Sequence, residues 1–423
     1  MWYRKYGLGI LLAGTMVAIA LAGALRPVYG SSLNVAQDNK ARMDLGIGTW
    51  FGNWYPSKIP DVTFEMGCDH AAELSARVAR VAFRWDVVEP SKGTFRWDVM
   101  DYIVGTVASR ANPEKILVVL ENTAPWAAPP DSGEDFWRTP PTDIQGYKDY
   151  LMAVVSRYKD RVGYWEIWNE PNLNTYWLGT TQDYVTLLQA SYQAIKTASP
   201  SAKVLGGVVS GADYQYVTVL YNLGARPYFD ILSLHPYSNP YDPRLTGTPE
   251  KEFYPTVGKV LGVMAANGDQ EKDVWFTELA WAMNWSHWGG VTEEQQAEYM
   301  KASYDMASAN WPQVKAYVWF SPVDTSDGNW GVYNSNGSKR SSFFIFRGLA
   351  GSGLTVSRRT PIIPGVSHDM PAGMISSTSY AIHVIASKTR TTAWTDIALL
   401  SWAIYPSDQI GTWRFSTGER ETT

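Results

Sequence analysis

Two glutamates stand at the carboxyl ends of short apolar segments, where a carboxyl group is well placed for acid–base or nucleophilic chemistry. The first segment, 164–172, reads YWEIWNEPN. Pro171 cannot donate to a sheet ladder, so a strand here must end beside Glu170. The second segment, 274–281 (VWFTELAW), presents Glu278 in the same way. A pair of carboxyls is what cleavage of a glycosidic bond requires, so the two segments together predict that chemistry.

The elements that must position these glutamates form an alternating series of strands and helices. The predicted strands are Leu45–Trp50, Val78–Arg84, Ile116–Glu121, Gly163–Trp168, Lys203–Val209, Phe229–Leu234, Val274–Thr277 and Lys315–Phe320. The predicted helices are Glu65–Arg77, Val99–Ala111, Ile144–Lys159, Gln182–Ala198, Tyr214–Leu223, Thr256–Ala266, Glu293–Asn310 and Ser342–Leu349. Many strands are near-continuous apolar runs, which is typical of parallel strands buried on both faces. The pattern predicts an α/β fold, a (β/α)8 TIM barrel, over residues 41–350.

An open, doubly wound sheet is the competing architecture, but no glycine-rich phosphate-binding turn follows the first strand. In a barrel, the carboxyl ends of all strands meet at one face, where such enzymes place their sites. The polar and aromatic side chains at or near the predicted strand ends are Arg84, Asn169, Glu170, His235, Glu278 and Trp319. Buried polar groups are costly without partners, so packing alone does not explain this convergence.

The composition is that of a globular protein with a sizeable core. Of 423 residues, 45% are hydrophobic and 18% are charged. A formal net charge of −5 argues against a general nucleic-acid binder, which would need a basic face. The 20 tryptophans and 25 tyrosines should mostly fill the core, while those at strand ends and in loops are suited to packing on sugar rings.

Metal and cofactor chemistry have no support in the sequence. Cys68 is the single cysteine, and the five histidines are scattered without zinc-ligand spacing. We therefore predict no metal, no cofactor and no nucleic acid, and a carbohydrate as the binding partner. The sequence does not indicate an oligomeric state.

The two ends of the chain differ in composition from the barrel region. Arg4 and Lys5 precede the uncharged apolar stretch 7–25, and small residues lie around 28–30. This pattern predicts that residues 1–40 are a signal peptide or an N-terminal membrane anchor, and hence a secreted or extracytoplasmic protein. For residues 351–423, which begin with a stretch rich in Gly, Ser, Thr and Pro, we expect a small β appendage or a disordered tail.

The motifs around both glutamates resemble those of a known group of enzymes. The segment 168–172 (WNEPN) resembles the strand-four motif of the clan of retaining glycoside hydrolases built on (β/α)8 barrels. The segment 276–278 (FTE) resembles that clan's strand-seven nucleophile motif. Further segments that look most like glycoside hydrolase family 39 are 83–85 (FRW), 123–127 (TAPWA) and 234–237 (LHPY). The resemblance extends roughly from Asp44 to Ala350.

This resemblance implies a double displacement in which Glu278 is the nucleophile and Glu170 is the acid and then the base. The two carboxyls should then lie about 5–5.5 Å apart. Glu278 must be ionised and Glu170 must start protonated, so we expect their surroundings to push the two pKa values apart. Arg84 is expected to hold Glu278 ionised, with a structural ion pair at the rim as the alternative.

Other residues near the strand ends are predicted to bind substrate. Asn169 resembles the clan residue that hydrogen-bonds the sugar 2-hydroxyl, although an Asx turn would also explain it. By the resemblance, His235 and Tyr237 should border the nucleophile, although His235 could equally be a satisfied rim residue. Trp126 and Trp319 are predicted platforms for sugar rings, with burial in the core as the alternative.

Two further glutamates have different interpretations. Glu121 ends the third strand and is a candidate rim residue in contact with substrate. Glu166 lies four residues before Glu170 and is predicted to be an inner-barrel polar group without a catalytic role.

The leading hypothesis is a retaining glycoside hydrolase that cleaves β-linked sugars in oligo- or polysaccharides. Transglycosylation uses the same residues, so product analysis is needed to separate the two reactions. A non-catalytic carbohydrate-binding barrel would be favoured by loss of either carboxyl, yet both are present. The sugar and the choice between exo and endo action depend on loops such as 122–143 and 281–290, and the catalytic set does not specify them.

Overall fold

The computed structural model describes residues 43–48, 63–246, 253–284, 289–325 and 328–351. Within these ranges, parallel strands close into an eight-stranded barrel in which each strand pairs with the next along the chain and the last pairs with the first. The predicted TIM-barrel fold is confirmed. The predicted N-terminal segment 1–40 and the C-terminal extension beyond Gly351 lie outside the described residues.

The strands begin and end close to where the sequence places them. They are β1 (Asp44–Gly48), β2 (Val78–Arg84), β3 (Lys115–Glu121), β4 (Tyr164–Ile167), β5 (Lys203–Ser210), β6 (Ile231–His235), β7 (Asp273–Leu279) and β8 (Val314–Trp319). Each is mostly buried, because the barrel interior covers one face and the helices cover the other. The observed bounds lie within two residues of the predicted ones, and residues 49–50 of the predicted first strand lie outside the described residues.

A main α-helix packs outside the barrel after each strand, and a short helix, Trp85–Val88, directly follows β2 as well. The helices are α1 (Phe64–Leu74), α2 (Trp97–Thr106), α3 (Ile144–Tyr158), α4 (Thr181–Ala198), α5 (Tyr214–Asn222), α6 (Phe253–Ala266), α7 (Glu293–Asn310) and α8 (Ser341–Leu349). Helix α1 ends earlier than predicted because Ser75 adopts a left-handed conformation, with φ of 57°, that caps it. No helix among the described residues has the length and hydropathy to cross a membrane.

Side-chain caps fix where two of these helices begin. Thr292 and Gln295 form a capping box at α7, as their spacing predicts. At α4 the cap is Thr180 paired with Asp183, one residue earlier than the sequence suggests. These caps set the point at which the loops over the strand ends stop and the helices start.

The barrel interior changes from apolar to polar toward the carboxyl ends of the strands. Its apolar cluster consists of Val78, Leu117, Leu205, Ile231, Trp275, Ala316 and Val318. Two residues further along their strands, Arg80, Glu166, Ser233 and Thr277 point to the same side, since side chains alternate with period two. All four are buried. A polar layer inside the barrel therefore lies directly beneath the strand ends.

Candidate active site

Glu170 follows β4 in a loop whose backbone is held in an unusual conformation. Trp168 and Glu170 have positive φ angles, of 68° and 43°, which non-glycine residues rarely adopt. Such strain persists only where the surroundings impose it, and it is common at functional sites. Asn172 donates to the carbonyl of Ser210 at 3.1 Å and accepts from the Ser210 N–H at 3.0 Å. These two hydrogen bonds tie the Glu170 loop to the end of β5.

Glu278 lies near the end of β7 and is only 5% exposed. Arg80 donates to its Oε1 through Nη1, and the Tyr237 hydroxyl donates to its Oε2 at 3.1 Å. His235 Nδ1 lies 3.5 Å from the same Oε2. Because a guanidinium and a phenol both donate to it, the carboxyl is favoured in its ionised form.

The two glutamates approach each other around His235. Nδ1 of His235 lies 2.9 Å from Glu170 Oε1. One oxygen of Glu170, one oxygen of Glu278 and a ring nitrogen of His235 all lie within 4.8 Å of one another. A pair of carboxyls this close suits direct attack by one of them, whereas a water-mediated single displacement needs about 6.5–9.5 Å.

Burial and charge act in opposite directions on the groups of this cluster. Burial favours the neutral form of Glu278, but the charges of His235 and Arg80 outweigh it, and the pKa of Glu278 falls below its usual value. Burial also disfavours a charged His235, yet the charge of Glu278 and the hydrogen bond with Glu170 raise its pKa above the usual range. The site therefore favours an ionised Glu278 beside a histidine that holds its proton well.

The cluster of Glu170, His235 and Glu278 is also the group of described residues whose ligand atoms come close enough to hold a metal ion. Each of the three already has protein partners, since His235 contacts Glu170, and Arg80 and Tyr237 donate to Glu278. We interpret the cluster as a pair of carboxyls bridged by an imidazole. The absence of a bound metal stays a prediction.

The predicted contact between Arg84 and Glu278 is wrong. Arg84 forms an ion pair with Asp86 at 2.6 Å and is partly exposed, so the alternative of a structural rim pair describes it better. Arg80, four residues earlier on the same inward face of β2, occupies the predicted position beside Glu278. Strand alternation allows both arginines to point inward, but only the deeper one reaches Glu278. A contact of Arg84 with substrate stays a prediction.

The predicted sugar platform at Trp319 is also wrong. Its ring is 0% exposed, packs against Trp281 and donates through Nε1 to the Trp330 carbonyl at 3.0 Å. Val318 faces the barrel interior, so its neighbour Trp319 must face the helices. Phe320, the next residue, instead packs edge-on against Tyr237 with ring centroids 6.4 Å apart. Phe320 is thus the aromatic residue at the end of β8 that lies next to the groups around Glu278.

The remaining predicted binding residues occupy two different places. Asn169 accepts from Arg80 Nη2 at 3.2 Å, so it shares a guanidinium with Glu278. Trp126 is half-buried in the loop after β3, where its Nε1 donates to the carbonyl of Glu89 at 2.9 Å. The contacts of both residues with a sugar stay predictions.

The other two glutamates have distinct surroundings. Glu166 is fully buried inside the barrel, where it accepts from Arg80 Nε at 2.6 Å and from Ser233 Oγ at 2.5 Å, in line with its predicted inner-barrel position. Glu121 is partly exposed at the end of β3. Burial, opposed by the charge of Arg80, raises the pKa of Glu121 to about 7. A contact of Glu121 with substrate stays a prediction.

Among the residues that the sequence interpretation missed, Arg80, Thr277 and Phe320 contact predicted site residues. Ser233, also missed, contacts Thr277 and Glu166 behind them. Alternation along β2 was a usable signal for Arg80, because it shares a face with Arg84, which the sequence already predicts to point inward. On β8 the sequence predicts that Trp319 points inward, which places Phe320 on the other face, so alternation gave no signal for Phe320. Ser233 and Thr277 carry no such signal, since buried hydroxyls inside a strand usually serve packing and local hydrogen bonds.

Comparisons with known proteins agree with the motifs. The family model described as glycosyl hydrolases family 39 matches residues 132–247, a range that contains Glu170 and His235 but not Glu278. A β-xylosidase of Geobacillus stearothermophilus is 31% identical over 117 residues, which is 25% of this chain and 23% of the relative. The chain thus matches about a quarter of that curated relative. The predicted resemblance to family 39 is confirmed.

Solved structures share the barrel. A family 39 glycoside hydrolase from Bacteroides cellulosilyticus WH2 has a TM-score of 0.60 at 22% identity, covering 74% of this chain and 64% of that one. A monomeric β-xylosidase from Caulobacter crescentus CB15 has a TM-score of 0.55 at 20% identity, covering 72% of this chain and 67% of that one. At these identities the likeness establishes the fold alone.

Proposed function

We propose that this protein is a retaining glycoside hydrolase that cleaves β-glycosidic bonds in oligo- or polysaccharides by double displacement. The observation that carries the proposal is the approach of Glu170 and Glu278 to within 4.8 Å of each other and of His235. Retaining enzymes hold their two carboxyls about 5–5.5 Å apart so that one of them can attack directly. The likeness to family 39 supports the same class of reaction.

In the first step, a carboxylate oxygen of Glu278 attacks the anomeric carbon as the bond to the leaving oxygen breaks. The electron pair of that bond stays on the leaving oxygen, which takes a proton from Glu170. Arg80 and Tyr237 favour the ionised nucleophile through their hydrogen bonds to Glu278. The products are a glycosyl ester on Glu278 and a free alcohol.

In the second step, water attacks the anomeric carbon while Glu170 removes its proton. The ester bond breaks and Glu278 leaves as a carboxylate, which restores the starting state. His235, at 2.9 Å from Glu170, is placed to share the proton that this carboxyl gives and then takes back. A sugar hydroxyl in place of water would give transglycosylation, so the products must be analysed.

We propose a class of candidate substrates and no single sugar. The curated relative is named a β-xylosidase, so aryl β-xylosides are the first substrates to test. Aryl β-glucosides and β-glucuronides, together with polysaccharides, complete the panel.

We also infer that the protein acts outside the cytoplasm, because the apolar stretch 7–25 follows two basic residues. Activity confined to the cytoplasmic fraction of the producing cell would contradict export.

The test combines trapping with removal of the nucleophile. A 2-deoxy-2-fluoro aryl β-glycoside of the sugar that is turned over should label Glu278, and peptide mass spectrometry identifies the labelled residue. Glu278→Ala should lower kcat/KM by more than about 1,000-fold, as removal of a nucleophile usually does. A loss of less than tenfold, or a label on another residue, would contradict the proposal.

The control variant also removes the charge of one glutamate, but at a position away from the site. Glu114 is exposed and pairs with Arg77 just before β3, at the opposite end of that strand from the site. Glu114→Ala should leave kcat/KM within twofold of the parent protein. Circular dichroism of both variants separates loss of chemistry from loss of fold.

A further inference from the structure

A continuous chain of buried hydrogen bonds leads away from Glu170 into the barrel. We call it the buried relay, and its members are His235, Thr277, Ser233 and Glu166. Nδ1 of His235 faces Glu170 at 2.9 Å, and Nε2 faces Thr277 Oγ1 at 3.1 Å. Thr277 and Ser233 share a short hydroxyl–hydroxyl contact, and Ser233 Oγ lies 2.5 Å from Glu166 Oε1.

Glu166, at the inner end of the relay, determines which group donates in each hydrogen bond. Glu166 forms an ion pair with Arg80, and an ionised carboxylate can only accept hydrogen bonds. Ser233 must therefore donate its single hydroxyl proton to Glu166. A hydroxyl that has given its proton can still accept, so Ser233 accepts from Thr277.

The same assignment of donors and acceptors extends to the imidazole of His235. Because Thr277 donates its single hydroxyl proton to Ser233, its oxygen can only accept a hydrogen bond from His235. His235 must then carry a proton on Nε2, whether the ring as a whole is neutral or charged. Nδ1 then shares a second proton with Glu170 Oε1, and that proton is bound to one of these two atoms. In the alternative neutral tautomer, with its proton on Nδ1, the two hydroxyl protons would have to serve three contacts. One contact along the relay would then join two acceptors with no proton between them.

We propose that Glu166, acting through Ser233 and Thr277, fixes the proton on His235 Nε2 and thereby keeps a proton available to Glu170 for the leaving group. These three residues are positioning residues, since none of them contacts the reacting atoms. The inference rests on the proposed function, because it concerns the proton that Glu170 transfers. It predicts that Glu170 and His235 lose that proton as a pair.

Other charged and titratable groups also face this pair and must stay unchanged in the test. Arg80 and Glu278 act on His235, and Tyr237 acts on Glu170. Glu166 and Glu121 interact with Arg80 and so lie one group further away. The test variants therefore change Thr277 alone, whose side chain carries no charge.

Thr277→Val removes the acceptor for the Nε2 proton while keeping the shape of the side chain. Neutral His235 can then place its proton on Nδ1, where it stabilises the carboxylate of Glu170. The alkaline limb of the kcat/KM profile should move to lower pH by about half to one unit. Thr277→Ser retains a hydroxyl and should keep the parental profile.

A substrate whose leaving group departs without protonation serves as the internal control, because its cleavage does not depend on the proton of Glu170. With a 2,4-dinitrophenyl glycoside, the leaving group departs without protonation, so Thr277→Val should react at close to the parental rate at high pH. Equal losses on this substrate and on a poor leaving group would show a merely structural role and overturn the relay. An unshifted alkaline limb in Thr277→Val would overturn it as well.

The tautomer can be read directly in the unmodified protein. Nitrogen-15 NMR of histidine-labelled protein, with the His235 signal assigned by its loss in His235→Asn, should show the proton on Nε2 when the ring is neutral. A proton on Nδ1 would overturn the relay even if the enzyme is active. Failure of the parent protein to hydrolyse any substrate would instead reject the proposed function, and the NMR result would still decide the relay.

Discussion

The two glutamates that we propose as catalytic are the same residue type, and their neighbours distinguish them. Glu278 receives hydrogen bonds from Arg80 and Tyr237, which act there as donors. Glu170 faces His235, whose ring nitrogen can either give or accept a proton. Donors favour a permanent carboxylate, whereas a partner that does both allows a proton to come and go. The assignment of nucleophile and acid/base thus has a physical basis in the surroundings of each carboxyl.

Tyr237→Phe tests the hydrogen bond that supports the nucleophile. Its loss should raise the pKa of Glu278, because the phenol favours the ionised form. Activity needs that ionised form, so the acid limb of kcat/KM should move to higher pH by about half to one unit. An acid limb that stays in place, measured on an aryl glycoside, would show that the phenol does not control this carboxyl.

Glu170→Gln tests the acid. The amide cannot protonate the leaving oxygen, so substrates with poor leaving groups should lose more than about 100-fold in kcat/KM, within the usual range for general acid catalysis. Activated aryl glycosides should lose far less in the first step, since their leaving groups depart without a proton. Rates on a series of aryl glycosides with graded leaving groups measure the difference. An equal loss across the series would contradict the role of Glu170.

At the scale of elements, the loop after β4 decides where Glu170 points. Two residues of this loop have positive φ angles, and Asn172 joins the loop to Ser210 at the end of β5 by two hydrogen bonds. A loop held in this way sets the position of a carboxyl more tightly than rotamer preference alone. The same strand-end geometry explains why Trp319, which faces the helices, does not line the site.

Asn172→Ala should release the loop without touching either glutamate. We expect kcat/KM to fall by about tenfold or more, because small displacements of a catalytic group cost rate steeply. Backbone amides of the loop should exchange with solvent faster in hydrogen-exchange mass spectrometry. Asn174→Ala, an exposed position in the same loop, is the matched control and should change neither quantity. Unchanged exchange in Asn172→Ala would mean that other contacts hold the loop.

At the scale of the molecule, the site exists because the barrel closes. Arg80, His235 and Glu278 lie on β2, β6 and β7, and Glu170 lies just after β4. These strands are separate along the chain. Closure occurs where β1 pairs with both β2 and β8. Gly46 lies at this junction, and a Cβ there would come within 2.7 Å of Val78 Cβ and 3.0 Å of Val318 Cγ2. The backbone approach at the closing strand therefore leaves no room for a side chain.

Gly46→Ala should destabilise the barrel by about 1–3 kcal/mol, the usual cost of overpacking a core. The measurement is the midpoint of cooperative unfolding in urea. Gly105→Ala is the control, because a Cβ at that helical position meets nothing within 4 Å and alanine is a better helix former. A midpoint for Gly46→Ala equal to that of the parent would show that the junction can adjust.

The sequence by itself determined the order and approximate bounds of the strands and helices, the barrel, and the two glutamates at strand ends. These features depend on local patterns: apolar runs, capping residues, and a proline that stops a strand beside Glu170. The adjacency of Glu170 and Glu278 followed once eight strands were assumed to close into one barrel.

Only the tertiary structure decided which inward-facing residue reaches which partner. Arg80 and Arg84 share a face of β2, and the choice between them depends on depth along the barrel axis, which local pattern does not encode. Trp319 and Phe320 are neighbours in sequence, but the side each faces depends on the phase of β8 against the rest of the barrel. The buried relay likewise joins side chains from three separate strands, whose distances exist only after closure brings those strands together.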